Sequence, residues 1–588
     1  MGFSKLKAGN AAKVVTDDID AAPGLTHPAD AALDIPHSVS HSLIKSSIAV
    51  HDRTQLETVF DYPLMPLKKF AAEDLRYQVE AYIFFPRQMG VTPASYPKER
   101  FYSDLRPLIR LREPRLVYKQ LIGDPSIAGR SPVSILRQYF AVRLKTGTSA
   151  NSGTISEQEA IDEARIFACA LAGYFLRRVE RRSKKLRKAV RSLSAEQNDE
   201  NAQKLHDACN DTGAFLDRIH NVMRVWRTMM ADVASFDPEL RDKVHHELRI
   251  VDEYCTYRIR DGITRLIKAI ALLQRKGQIA ALAPLERKLS AHARFDHWYS
   301  VKKGYGWITR ASDDLTVEKY VFRRGVLKRR VWQVLYLDVR MRPLFAFQQQ
   351  LGAMVAAGVA AFWAVGTEIL IRMKAANQAV SPFSSLGTGT LVIVTAFIMA
   401  YVLKDRIKEL GRSYFSSRLM RSVPDNSERI VYRSAGQKSW NIGSLAEYTR
   451  FVSLDRLPEA IKKLHRKFDP EGLDSEDGSS NAIHYRKVID LNANISRSHV
   501  YPLRAVHDIL RLNIEAFLSK LDDPLHGTEM LDAEGRLVEM KMPKVYHLGL
   551  ILKYSRTVSN DQKDQATYEC IRLVINKRGL FRIERIES

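Results

Sequence analysis

The sequence predicts a mainly α membrane protein. It combines a two-helix transmembrane hairpin, a cytoplasmic helical bundle or stalk, a small N-terminal α/β module and a C-terminal α+β domain with an antiparallel sheet. Three observations predict this. Residues 344–403 hold two long uncharged runs, Leu344–Thr367 and Ala375–Leu403, parted by Glu368, Arg372 and Lys374. About 20 apolar residues rising about 1.5 Å each span a hydrocarbon core of about 30 Å. Long helical patterns fill residues 155–296, and strand-like runs flank them on both sides.

The totals set the frame. A chain of 588 residues exceeds one core. Mean hydropathy is slightly negative, which argues against a polytopic transporter. The net charge of +24 suits anionic lipid, nucleic acid or an acidic partner. Cys169, Cys209, Cys255 and Cys570 are too widely spaced for a zinc ribbon, and they read as free thiols in a reducing compartment.

Residues 1–75 are rich in Ala, Asp, Ser, His and Pro without periodicity and are expected to be mostly disordered. Met1–Ala12 does not read as a signal peptide, and Leu6 stands where a myristoylation motif needs Ser or Thr. The α/β module occupies 76–154. Val79, Ala81, Ile83 and Phe85 alternate with Gln78, Glu80, Tyr82 and Phe84, a strand signal that Pro86 stops. The bundle or coiled-coil-like stalk occupies 155–296. Glu157, Glu159 and Asp162 load the first turns of its first helix, and Asp237-Pro238 and Ala283-Pro284 mark later breaks. Ile166–Leu176 is uncharged but too short to cross a bilayer.

Residues 297–343 are β-rich in composition, with Val317, Tyr320, Val321, Phe322, Val326, Val331, Trp332, Val334, Tyr336 and Val339. A juxtamembrane β-hairpin is the first expectation and an amphipathic helix the second. The membrane hairpin follows at 344–403, and its second helix extends through 404–424 to about Val423, ahead of Pro424. In the C-terminal domain, 425–588, Arg429–Arg433 and Ile483–Leu491 read as strands. Pro502–Leu521 reads as a helix with Leu503, Val506, Leu510, Phe517 and Leu521 on one stripe. Val545–Ser555 and Tyr568–Ile586 read as strands.

Charge sets the expected topology. Arg329, Arg330, Arg340 and Arg342 precede the first run, and Lys404, Arg406, Lys408 and Arg412 follow the second, as basic anchors for anionic headgroups. The positive-inside rule places both long arms in the cytoplasm and the turn 374–386 outside, in a bacterial inner membrane. Gly352, Ala356 and Ala360 repeat every four residues, as do Ala353, Ala357 and Ala361. Such small residues form a packing face, within one chain or between chains of a homo-oligomer.

A basic helix is expected at Arg177, Arg178, Arg181, Arg182, Lys184, Lys185, Arg187, Lys188 and Arg191. It lacks aromatic interleaving, so a solvated face, or lipid headgroups or an acidic partner, explains it better than nucleic acid. His245-His246-Glu247 lacks the second zinc histidine, because Ile250 stands there, and Asp474–Gly478 lacks the closing Glu of a calcium loop. No phosphate loop, dinucleotide fingerprint, nucleophile elbow or kinase landmark is present. No metal, cofactor or catalytic residue is assigned. The functional expectation is an integral membrane protein anchoring cytoplasmic domains, a scaffold or signalling adaptor with a cytoplasmic protein partner. The alternatives are an oligomeric pore-forming effector and an enzyme with a site in 425–588.

Overall fold

Both ends of the chain alternate apolar and polar residues with a period of two, and both ends build the same sheets. In the computed structural model the described residues are 44–64, 75–127, 129–146, 155–232, 238–274, 280–342, 344–377, 388–419, 424–433, 439–468, 481–492, 501, 505–531, 533–558 and 566–586. The N-terminal part forms β1 (Lys45–Asp52), β2 (Gln55–Pro63), β3 (Leu75–Phe84), α1 (Lys98–Asp104), β4 (Leu105–Leu111), α2 (Tyr118–Ile122) and α3 (Pro132–Thr146). Long helices follow: α4 (Glu157–Ala195), α5 (Asp199–Asp232), α6 (Pro238–Gln274), α7 (Ala283–Lys303) and α8 (Asp314–Trp332). Then come β5 (Asp338–Arg342), α9 (Leu344–Asn377) and α10 (Thr388–Leu419). The C-terminal part holds β6 (Asn426–Arg433), β7 (Ser439–Ser453), α11 (Glu459–His465), β8 (Asn481–Leu491), β9 (Ala505–Asn513), α12 (Glu515–Leu518), β10 (Leu525–Leu531), β11 (Leu537–Pro543), β12 (Tyr546–Val558), β13 (Thr567–Asn576) and β14 (Gly579–Ile586).

One sheet runs β14-β13-β12-β3-β8-β7-β6-β5 and a second β1-β2-β9-β4, antiparallel throughout. The inward parities meet between them: Leu56, Phe60 and Tyr62 of β2 and Leu510 of β9 join Val79 and Ile83 of β3 and Leu550 of β12 in one buried core. Gly443 of β7 has no room for a side chain, because a Cβ there would meet the Asp490 carbonyl oxygen at 2.2 Å.

Helices α4–α8 are inserted between β4 and β5. Ser156 caps α4 by accepting the Glu159 amide at 3.1 Å, and Glu157 and Glu159 in its first turn complement the helix dipole. Phe167 of α4 stacks on Trp226 of α5 with centroids 4.4 Å apart. Arginine–carboxylate pairs link the helices to each other and to segments beside the strands, and the Arg110 guanidinium of β4 sits 4.4 Å over the Trp332 ring of α8. Arg130 reaches Glu159 at 2.8 Å and Glu163 at 2.6 Å, and Glu163 also accepts Tyr501 OH. The helices are thus a bundle seated on the sheets, not a projecting stalk.

The fold class is corrected from mainly α to α+β, with two large antiparallel sheets and a helical insertion. The small N-terminal module and the C-terminal domain are not separate, because β3 lies between β12 and β8, and β9 lies between β2 and β4. Residues 45–63, expected to be disordered, form β1 and β2, while 1–43 lie outside the described residues. The segment expected as a β-hairpin, 297–343, holds the end of α7, helix α8 and, of the expected strands, only the short β5. Tyr320, Leu327 and Val331 repeat there at helical spacing against the core, so burial on one stripe overrides β-branched composition. The predicted helix Pro502–Leu521 is strand β9 followed by α12, since Val506, Asp508, Leu510 and Leu512 face inward with a period of two.

The two-helix transmembrane hairpin is also corrected. Helix α9 is the one helix among the described residues long and apolar enough to cross a membrane, over Ala353–Leu370. Helix α10 packs along it, and a Cβ on Gly411 would lie 3.2 Å from the Ala356 Cβ. Among the described side chains the shielded positions are Ala353, Ala356, Ala357, Ala360, Ala364, Gly366 and Thr367 on α9, and Ala400, Lys404, Ile407 and Gly411 on α10. Counting outward from Ala356–Gly411 along antiparallel helices, Lys404 is about level with Trp363 and Arg412 with Val355. The charged half of α10 therefore runs beside the apolar half of α9, and the two uncharged runs overlap for only about one turn. One hydrocarbon slab does not cover both.

Candidate functional site

The arm formed by α9 and α10 connects the edge strand β5 to its neighbour β6. Its outer surface is apolar: Met354, Val359, Phe362, Ile369 and Leu370 of α9 and Ile398 and Tyr401 of α10 are all more than half exposed. Only 11% of the Ala353–Leu370 window is buried inside the molecule. Of the expected packing face, Ala356 and Ala360 are 1% exposed and lie against α10. Ala353 and Ala357 are half-buried, Ala361 faces out, and the side chain of Gly352 lies outside the described residues. Of the small-residue face, Ala356 and Ala360 are therefore occupied within the chain.

The basic anchors divide. Lys404 is partly shielded, with its ammonium 4.9 Å from the Tyr401 ring centre. Arg406 and Lys408 are exposed, and Arg406 pairs with Glu409 at 3.4 Å. Arg329 is exposed, whereas Arg330 binds Glu247 of the bundle. The side chains of Arg340, Arg342 and Arg412 lie outside the described residues. Glu368 accepts Arg372 at 2.6 Å on the arm's surface.

The basic helix is part of α4. Val179, Ser183, Leu186 and Val190 turn inward, and the cations fan out around that stripe. Arg177 binds Glu113 and Arg182 binds Asp211 at 3.1 Å. Lys184 binds Glu180, Lys185 lies 4.0 Å from Asp211, and the Arg178 guanidinium sits 3.9 Å from the Tyr174 ring centre. Arg181, Arg187, Lys188 and Arg191 point to solvent.

At the root of the arm lies a cluster that the sequence did not single out. Glu428 of β6, Glu447 of β7, Lys487 of β8 and Asp508 of β9 are each 2% exposed or less. Lys487 Nζ donates to Asp508 Oδ1 at 2.7 Å and lies 3.9 Å from Glu447 Oε1. Tyr62 OH donates to Asp508 Oδ2 at 3.1 Å, and Tyr485 OH donates to Glu447 Oε1 at 2.6 Å. Asn426 Nδ2 donates to Glu447 Oε2 at 3.3 Å. Glu428 Oε1 has no hydrogen-bond partner among the described residues. Burial, and then the charge of Glu447, push the Glu428 carboxyl up to about 7 against the pull of Lys487. Burial also raises Asp508, opposed by Lys487.

Lys487 was legible in part. It shares strand parity with the apolar Ile483, Tyr485, Ile489 and Leu491, and a cation on an inward parity signals a buried partner. Asp508 was hidden by the helical reading of its segment.

Two further polar groups stand apart. On the outer face of the large sheet, burial alone would raise Glu80. Hydrogen bonds with His484 at 3.1 Å, Lys553 at 2.7 Å and Tyr82 at 2.7 Å instead hold it well below the usual carboxylate range. In the bundle, His220, His292, Arg227 and Asp296 line a pocket of about 20 Å³, room for one water. Burial raises Asp296 to about 6, opposed by Arg227 and Arg260.

Comparison of the chain with protein-family models, with curated proteins and with solved structures finds no match.

Proposed function

We propose that this protein is a membrane-anchored scaffold. Helix α9 buries its exposed apolar face in lipid, and the sheets and bundle form the aqueous body that meets other proteins. The observation that carries this is the uncovered apolar surface of α9 over Ala353–Leu370. An exposed patch of that extent on a water-soluble surface is costly unless lipid or a partner covers it. Lipid is favoured by length, since 18 residues rise about 27 Å, close to the thickness of a hydrocarbon core. It is also favoured by the exposed cations Arg406 and Lys408 beside the apolar face, placed to meet anionic headgroups. The pore reading loses its motive, because Ala356 and Ala360 already pack on α10.

Vesicle flotation tests the proposal. The full chain is expected to float with vesicles rich in phosphatidylserine, while a Val359→Asp, Phe362→Asp variant stays at the bottom. Both substituted side chains face outward, so the fold is spared. Equal flotation of the variant and the unmodified chain would overturn the assignment to α9. The length of the window favours a second reading in which α9 crosses the bilayer. Labelling of Lys374→Cys by an impermeant reagent only from the side opposite the body would establish crossing, and labelling from the body side would place α9 along the surface.

A further inference from the structure

We propose that Glu428 is a proton-binding site at the root of the arm, and that its loading sets how firmly β6, and the arm with it, is seated on β7. The inference concerns attachment of the arm to the body and holds whether or not α9 enters lipid.

The placement comes first. The chain enters α9 directly from β5 and returns from α10 into β6. Among the described residues strand β5 is the sheet edge and pairs only with β6, so the β6–β7 ladder carries this junction. Glu428 stands in that ladder, opposite Met341 of β5 on one side and Leu445 of β7 on the other. Asn426, two residues earlier on the same face, stands opposite Glu447. Just before β6, Asp425 is fastened to the body by Lys98 at 3.0 Å, Tyr102 at 3.1 Å and the Thr449 amide at 2.7 Å.

The charges come next. Glu447 of β7 and Lys487 of β8 act on Glu428 directly, and Tyr485 of β8, Asp508 of β9 and Tyr62 of β2 are bonded to that pair in turn. The cluster holds three carboxylates and one ammonium, and that ammonium is committed to Asp508 at 2.7 Å. Glu447 is satisfied by Tyr485 and Asn426. Glu428 is left with an unpartnered oxygen at 2% exposure. A second unpaired negative charge in such a place is disfavoured, and a bound proton removes it. The exchange is a proton moving between the Glu428 carboxyl and water, with no other bond made or broken.

The direction follows. The folded state holds the Glu428 proton up to about pH 7, while the unfolded chain releases it near 4.5. Between these values the folded state binds more protons, so the seating of β6 weakens as pH rises through the window, and the loss ends once Glu428 is ionised in both states. Inside the window each pH unit costs about tenfold in the protected population, and above the folded value the loss levels off.

Hydrogen exchange of the full chain, corrected for the intrinsic pH dependence of exchange, tests this. Protection of β5 and β6 amides is expected to fall about tenfold between pH 5 and 6, and by only about twofold between pH 7 and 8. Glu428→Gln, which keeps the shape and lacks the charge, is expected to hold the low-pH protection throughout. Asp296→Asn removes another group raised by burial in the bundle and is expected to leave the β6 response unchanged. Infrared spectroscopy of the unmodified chain gives an independent readout, a carboxylic-acid C=O band that titrates near neutrality and is missing in Glu428→Gln. A pH-independent β6, or a band unaffected by Glu428→Gln, would overturn the proposal.

Discussion

Lys487 shows how much one side chain decides inside this sandwich. It is 1% exposed and sits between Asp508 and Glu447, neither of which reaches water. Lys487→Met keeps the volume and removes the charge, leaving both carboxylates uncompensated. The expected loss is about 3–5 kcal/mol of unfolding free energy, read from denaturant melts. Adding Asp508→Leu removes the stranded carboxylate, and the double variant is expected to recover part of that loss. A single variant as stable as the unmodified chain would mean that the ion pair is absent in solution. The inward parity of Lys487 could be read from Ile483, Tyr485, Ile489 and Leu491 beside it. The identity of its partner could not, because Asp508 sits on a different sheet and only packing brings the two together.

At the scale of elements, long helices were legible and their packing was not. Glu157 and Glu159 after Ser156 announce the start of α4, and Pro238 opens α6. Helix α8 and strand β9 were misread for opposite reasons. The valines of α8 suit strands in composition, but the burial falls on the helical stripe Tyr320, Leu327 and Val331, and the apolar residues of β9 fit both periods. The apolar runs of α9 and α10 were legible as runs, but their register depends on the contact of Gly411 with Ala356. That register can be measured. A Cβ at position 411 lies 3.2 Å from the Ala356 Cβ, near the separation of about 3.8 Å in a disulfide. Ala356→Cys with Gly411→Cys is therefore expected to cross-link within one chain under mild oxidation, visible as a gel shift lost on reduction. The native cysteines are buried and unbridged, so they compete little. Ala361→Cys with Gly411→Cys is expected to stay reduced, since Ala361 faces outward. Cross-linking of the second pair but not the first would displace the helices from this register.

For the whole molecule, the decisive feature is the interleaving of the two ends of the chain. Ser555 stands opposite Gln78, and Thr58 opposite Leu510, pairings across more than 400 residues. Local pattern marks such strands but does not say which strand lies beside which, and closing so large a loop is among the costliest steps in folding. A boundary at residue 425, natural from the sequence, therefore cuts through the core. Without β3, the large sheet splits between β12 and β8, and without β2 and β4, strand β9 has no neighbour on either side. Lys487 and Asp508 would remain in such a fragment while the sheet that buries them would not. Residues 424–588 alone are expected to aggregate or to show no cooperative unfolding transition by circular dichroism. Supplying residues 44–146 as a second chain restores β1–β4 and is expected to give a soluble, co-purifying pair. A cooperative melt of 424–588 by itself would show that β12 and β8 hold together without β3, and would return the C-terminal region to the status of an independent domain.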